Sequence, residues 1–131
     1  MKYPGALVWQ FLAVSVLAVS CAPEADPMQA MLVGKWQIRE AFRNKQATES
    51  LADLYFSFSK AGKMETNLPL PEAVGTSAYS VKKGVLYQTQ GDTELTYQIE
   101  SINDSVLVLT TTLQDFPFRF VLNRSTSGHV Q

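Results

Sequence analysis

The sequence predicts an all-β domain: an eight-stranded antiparallel up-and-down barrel preceded by a short N-terminal helix. Three observations predict it. From Gly34 onward apolar residues recur with period two, the period of a strand with one buried face. Turn residues (Lys60-Ala61-Gly62, Lys83-Gly84, Gly91-Asp92, Asn103-Asp104) return about every ten positions, the rhythm of a meander. Eight short strands in series need their edges protected, and closing the sheet on itself removes the edges. The chain of 131 residues suits one domain, and 7 Phe, 5 Tyr and 2 Trp supply a core.

The elements follow in order. Residues 6–19 are apolar apart from Gln10 and Ser15, and Lys2 precedes them. As a helix that run would rise only about 21 Å, at about 1.5 Å per residue, whereas a bilayer span needs about 20 residues. Residues 1–20 therefore read as an export signal. The single cysteine, Cys21, stands where the apolar run stops. One cysteine excludes an internal disulfide and a cysteine-rich zinc site. Residues 21–27 form a polar tether. Its last residues begin the helix, with Asp26 as cap and Pro27 at the first helical position. Met28 to Leu32 complete one or two turns, and Gly34 ends them.

The domain proper is expected over 28–124. Its first strand, 34–41, carries Trp36 and Ile38 inward, with Glu40 in the same alternation. Segment 42–50 reads as a polar loop. Strands at 52–59 (Leu54, Phe56, Phe58) and 63–68 (Met64, Leu68) follow. Next come 75–82 (Tyr79, Val81), 85–90 (Val85, Tyr87) and 93–101 (Leu95, Tyr97, Ile99). The seventh, 105–113, is apolar on both faces: Val106 and Val108 are assigned to the interior, Leu107, Leu109 and Leu113 to the other side. A strand apolar on both sides is covered on both sides. Either the N-terminal helix covers it, through Met28, Met31 and Leu32, or a partner protein of the cell envelope does. The eighth strand, 116–123, lines up Phe116, Phe118, Phe120 and Leu122, and residues 125–131 read as a disordered tail.

Closure sets the first strand antiparallel to the eighth. Arg124, in phase with Phe116 through Leu122, then lies near Trp36, where a cation–π contact is worth about 0.5–2 kcal/mol. Tyr79, Tyr87 and Tyr97 are candidates to line a ligand site at the open mouth. The alternative for them is plain core packing with the hydroxyls in water. The closed end is expected to be solid.

Little points to chemistry. The 11 basic and 12 acidic residues leave a charge of −1, without the basic surplus of a nucleic-acid binder. There is no Gly-x-Ser-x-Gly elbow and no phosphate-cradling glycine loop. The one histidine, His129, has no second member for acid–base or metal chemistry. No enzyme activity, cofactor, metal or nucleic-acid partner is expected.

Two resemblances add to this reading. Ala18-Val19-Ser20-Cys21 resembles the lipobox of bacterial lipoproteins, with Ala18 where that family prefers Leu. The resemblance implies lipidation of Cys21 and a membrane partner reached through that lipid. Ala22 after the cysteine implies delivery to the outer membrane, on its periplasmic or cell-surface side. The run from Leu32 to Arg124 resembles the small lipocalin-like domains of bacterial lipoproteins of Bacteroidetes type. It does so through Gly34-Lys35-Trp36 (the Gly-x-Trp motif), LYFSFSKAGKM, YQIESINDSVLVL and Arg124. The chain is shorter than most lipocalins. The resemblance implies that Trp36 and Arg124 are a structural pair at the closed end. It also implies a small apolar or amphipathic ligand. The other reading left open is a filled barrel that acts by protein–protein contact at 105–113.

Overall fold

The computed structural model describes residues 26–125. Residues 1–25, with the expected export signal and Cys21, and residues 126–131 lie outside the described residues. Helix α1 (Pro27–Leu32) is followed by β1 (Gly34–Arg43), β2 (Gln46–Thr48), β3 (Tyr55–Phe58), β4 (Lys63–Thr66) and β5 (Gly75–Lys82). Then come β6 (Val85–Gln90), β7 (Thr93–Ile102), β8 (Val106–Leu113) and β9 (Phe116–Arg124).

All pairings are antiparallel, each strand from β3 to β8 pairs with the next, and β1 closes the sheet by pairing with both β3 and β9. The result is the expected eight-stranded barrel with its short helix. The ninth strand, β2, is a three-residue arm outside that count. Asn44 and Lys45, with φ of 54° and 70°, fold β1 back so that Arg43 pairs with Gln46. Two successive positive φ angles give the primed turn that matches strand twist. Segment 42–50 thus contributes the end of β1 and a hairpin arm rather than a loop throughout.

Up-and-down order puts the turns 59–62, 83–84 and 103–105 at one end, with α1. The connections 44–54, 67–74, 91–92 and 114–115 lie at the other. The first end is closed. Asp26 caps α1 by accepting from the Met28 N–H (2.8 Å) and also accepts from the Lys83 N–H (3.2 Å). Gln29 Oε1 accepts from the Val81 N–H (3.1 Å). Leu32 is fully buried in the core. The helix therefore plugs the end of the barrel instead of lying on the outside of β8.

The bore is packed with aromatic rings. Phe56 meets Tyr97 edge-on (5.7 Å between centroids, 87°) and Phe120 at 6.1 Å, while Phe58 meets Tyr79 edge-on at 5.0 Å. Trp36, Phe56, Tyr97 and Phe120 have no exposed surface.

Three stretches face opposite to the sequence expectation, each because register overrode simple alternation. In β8, Leu107, Leu109 and Leu113 belong to the core and Val106 and Val108 to the opposite face. The turn Gln114-Asp115 (φ 51° and 73°) pairs Leu113 with Phe116, which sets Leu109 beside Phe120 and Leu107 beside Leu122. In β6, Lys83 and Gly84 (φ 52° and 79°) pair Lys82 with Val85, so Leu86 stands opposite buried Val81 and Tyr87 opposite Ser80. Leu86 and Gln88 are inside; Val85 and Tyr87 are not. In β1 the pairing with β9 slips between Ile38 and Glu40. This bulge adds one residue and reverses the alternation beyond it. Glu40 is exposed, Ala41 is buried beside Phe120, and Arg43 follows Ala41 onto the inner face.

Candidate functional site

At the closed end Trp36 and Arg124 are register partners across the closing ladder. The guanidinium carbon lies 4.2 Å from the centre of the Trp36 ring. Its nitrogens donate to the carbonyls of Asp104 (2.8 Å), Val33 (2.7 Å) and Met31 (2.8 Å). Trp36 Nε1 donates to Leu32 O (2.8 Å), and the Val33 N–H to Ala30 O (3.4 Å). The end of a helix leaves carbonyls without intrahelical partners. Here those of Ala30, Met31 and Leu32, and that of Val33 after them, are all taken. The pair is a fastening: it ties α1 to the closing strands and leaves no room for a ligand.

The tyrosines divide. The Tyr79 hydroxyl donates to Ser59 O (2.8 Å) near the closed end. Tyr97 is fully buried and donates to Gln88 Oε1 (2.6 Å). Gln88, itself 1% exposed, donates through Nε2 to Ala73 O (2.9 Å) and Ser77 Oγ (3.1 Å). Burial raises the pKa of both phenols, and strongly for Tyr97, because the charged form loses its hydration. Tyr87 stands on the outer face. None of the three borders the cavities at the mouth, so the lining expected of them is supplied by other residues.

Those residues come from the loops and the last hairpin. A recess of about 200 Å³ opens at the mouth between Leu51, Leu68, Leu70, Leu113, Phe116 and Phe118, with Arg43, Ser50 and Gln114 among its polar lining residues. Phe116 is 41% exposed. The Arg43 guanidinium carbon sits 4.2 Å from the centre of its ring. A wider groove of about 730 Å³ lies beside the recess, and Phe118 borders both. It forms where β7 and β8 part. Their ladder runs from Ile102–Leu107 to Gln98–Thr110 and goes no further, and the Thr111 hydroxyl donates to Thr96 O (2.6 Å). The groove therefore meets inner-face residues (Leu95, Thr111, Phe118) as well as outer ones (Phe42, Glu94, Arg119).

Sequence reasoning placed Leu68 inward but missed Gln88, Arg43, Leu51 and Leu70. Gln88 was within reach: a two-residue turn at Lys83-Gly84 sets it opposite Tyr79. Leu51 and Leu70 sit in loops, where strand alternation gives no signal.

Among the described residues no three His, Cys, Asp or Glu side chains gather to hold a metal ion, and no helix is long and apolar enough to cross a membrane.

No protein-family model and no curated protein matches the chain. Two crystal structures resemble it. One is of a lipocalin-like protein from Bacteroides uniformis ATCC 8492, with a TM-score of 0.54 and 17% identity. The other is of an uncharacterized protein from Bacteroides eggerthii DSM 20697, with a TM-score of 0.51 and 16% identity. Each likeness covers 72% of this chain and 99% of the other. At such identity the likeness concerns the fold, and the fold of this chain is the lipocalin-like barrel.

Proposed function

We propose that this chain is a binding module, without catalytic activity, that holds a small apolar or amphipathic molecule at the mouth of its barrel. The observation that carries the reading is the contrast along the barrel axis. An eight-stranded barrel can be filled by side chains or can hold one small ligand. Here the bore is filled at the level of Phe56, Tyr97 and Phe120, while an apolar recess with a partly exposed Phe116 stays open above it. The recess is smaller than the roughly 300–1,000 Å³ of sites that enclose a drug-sized ligand. It suits one apolar segment, with the rest of the molecule in the adjoining groove. The test is displacement of an environment-sensitive apolar fluorophore by alkanols and alkyl acids of graded length. Saturable displacement supports mouth binding; its absence across the series overturns it.

The proposal includes an address. Residues 1–22 resemble a lipoprotein signal, and on that resemblance Cys21 is lipidated, becomes the mature N-terminus and tethers the barrel to the outer membrane. One acyl chain holds marginally, and two or more hold firmly. Mass spectrometry of the protein from its own host checks this: an unmodified thiol, or a retained leader, overturns it.

The filled bore also suits a protein that acts through its outer surface. The apolar face expected from Leu107 and Leu109 on 105–113 is not available for that role, because both are fully buried in the core.

A further inference from the structure

We propose that the mouth recess selects single-tailed amphiphiles with an anionic head group, and that Arg43 reads the charge. The proposal rests on the reading of the mouth as a ligand site. Arg43 is the one charged side chain in the lining of the recess. It reaches the inner face because the bulge after Ile38 reverses the alternation, placing Arg43 beside Phe118 and over the ring of Phe116.

Among the described residues the Arg43 side chain makes no hydrogen bond and no ion pair; it rests on the Phe116 ring. Arg119, one strand away on the outer face, contrasts with it: Arg119 Nε lies 2.8 Å from Glu100 Oε1. A guanidinium stacked on a ring keeps its N–H groups pointing outward in its own plane, the arrangement that takes a carboxylate or phosphate by two parallel hydrogen bonds. Ser50 and Gln114, also in the lining, add neutral polar groups at the same rim. Leu51, Leu70 and Leu113 offer apolar surface to a chain below it.

The same geometry disfavours other ligands. A neutral head group laid over Arg43 would strip water from a charge and return little. A cationic one would add repulsion. Arg43 thus discriminates among amphiphiles whose tails the leucines accept equally.

The experiment is a titration of the folded domain with decanoate, decyl phosphate and decanol, each below its micelle concentration, in the native protein and in Arg43→Gln, Arg43→Lys and Lys60→Gln. Lys60 lies on the turn at the closed end. We expect at least one of the two anions to bind about fivefold or more tighter than decanol, and that preference to weaken with added salt. Arg43→Gln should abolish the preference by weakening the anions, with no loss of decanol affinity. Arg43→Lys should keep part of it, and Lys60→Gln all of it. The inference is overturned, with mouth binding intact, if decanol matches both anions in the native protein or if Arg43→Gln keeps the preference. Failure of all three ligands to bind overturns mouth binding itself. Should Arg43→Gln not fold, the native anion-to-alkanol ratio and its salt dependence still decide.

Discussion

A methyl group on Gly34 would stand 2.6 Å from Nη1 of Arg124. The neighbour is the tip of a long side chain, which would ordinarily swing aside. This one is pinned by the carbonyls of Met31, Val33 and Asp104 and by the face of Trp36. Gly34 also has φ of 129°, a backbone conformation that side chains oppose. The glycine and tryptophan of the Gly-x-Trp motif therefore serve one object, the seat of a guanidinium.

Gly34→Ala is expected to destabilise the domain by about 1–3 kcal/mol. Arg124→Met, which leaves three carbonyls without their donor, should cost at least about 2 kcal/mol. Because part of the alanine cost is collision with Arg124, the two changes together should cost less than their sum. Urea unfolding of the single and double variants measures this.

Tyr97→Phe removes the hydroxyl that serves Gln88 Oε1 inside the core. It should cost about 1–3 kcal/mol, the desolvation penalty of the acceptor left behind. The same phenol governs alkaline behaviour. Its pKa in the folded state is raised above the ordinary value of about 10. The neutral form is the one the fold accommodates, so stability is fully present below about pH 10. It is lost as pH rises past that value, where the unfolded chain releases the proton first. Unfolding midpoints followed from neutral to alkaline pH should hold level and then fall. The fall should be shallower in Tyr97→Phe.

Leu107→Ala should cost about 2–5 kcal/mol, as for a buried leucine. Val106→Ala, on the opposite face and half-buried, should cost under about 1 kcal/mol. Equal effects would contradict the inward facing of Leu107. Thermal unfolding of the two variants makes the comparison.

The barrel and its Trp36–Arg124 closure were legible in the sequence, because alternation holds in the strand segments that carry the closing residues. Trp36, Phe56 and Phe120 all lie where period two sends them. What the sequence carried poorly were facings that depend on register. Tyr87 and Leu107 were assigned by apolar count within their own strands, although the turns at Lys83-Gly84 and Gln114-Asp115 fix them from outside. The bulge after Ile38 has no local signature. Without it Phe42 would face inward and Arg43 outward, so the cation at the mouth could not be read from the chain. The 46–48 arm was missed for a related reason: Asn44-Lys45 lacks the glycine that usually marks such a turn.

Binding at the mouth over a filled bore is tested most directly by following backbone amide resonances during titration with decanoate. Saturable shifts are expected at Leu51, Leu70, Leu113 and Phe116, with Phe56, Tyr97 and Phe120 unmoved. Shifts centred on Phe56 and Tyr97, or none at saturating ligand, would contradict it.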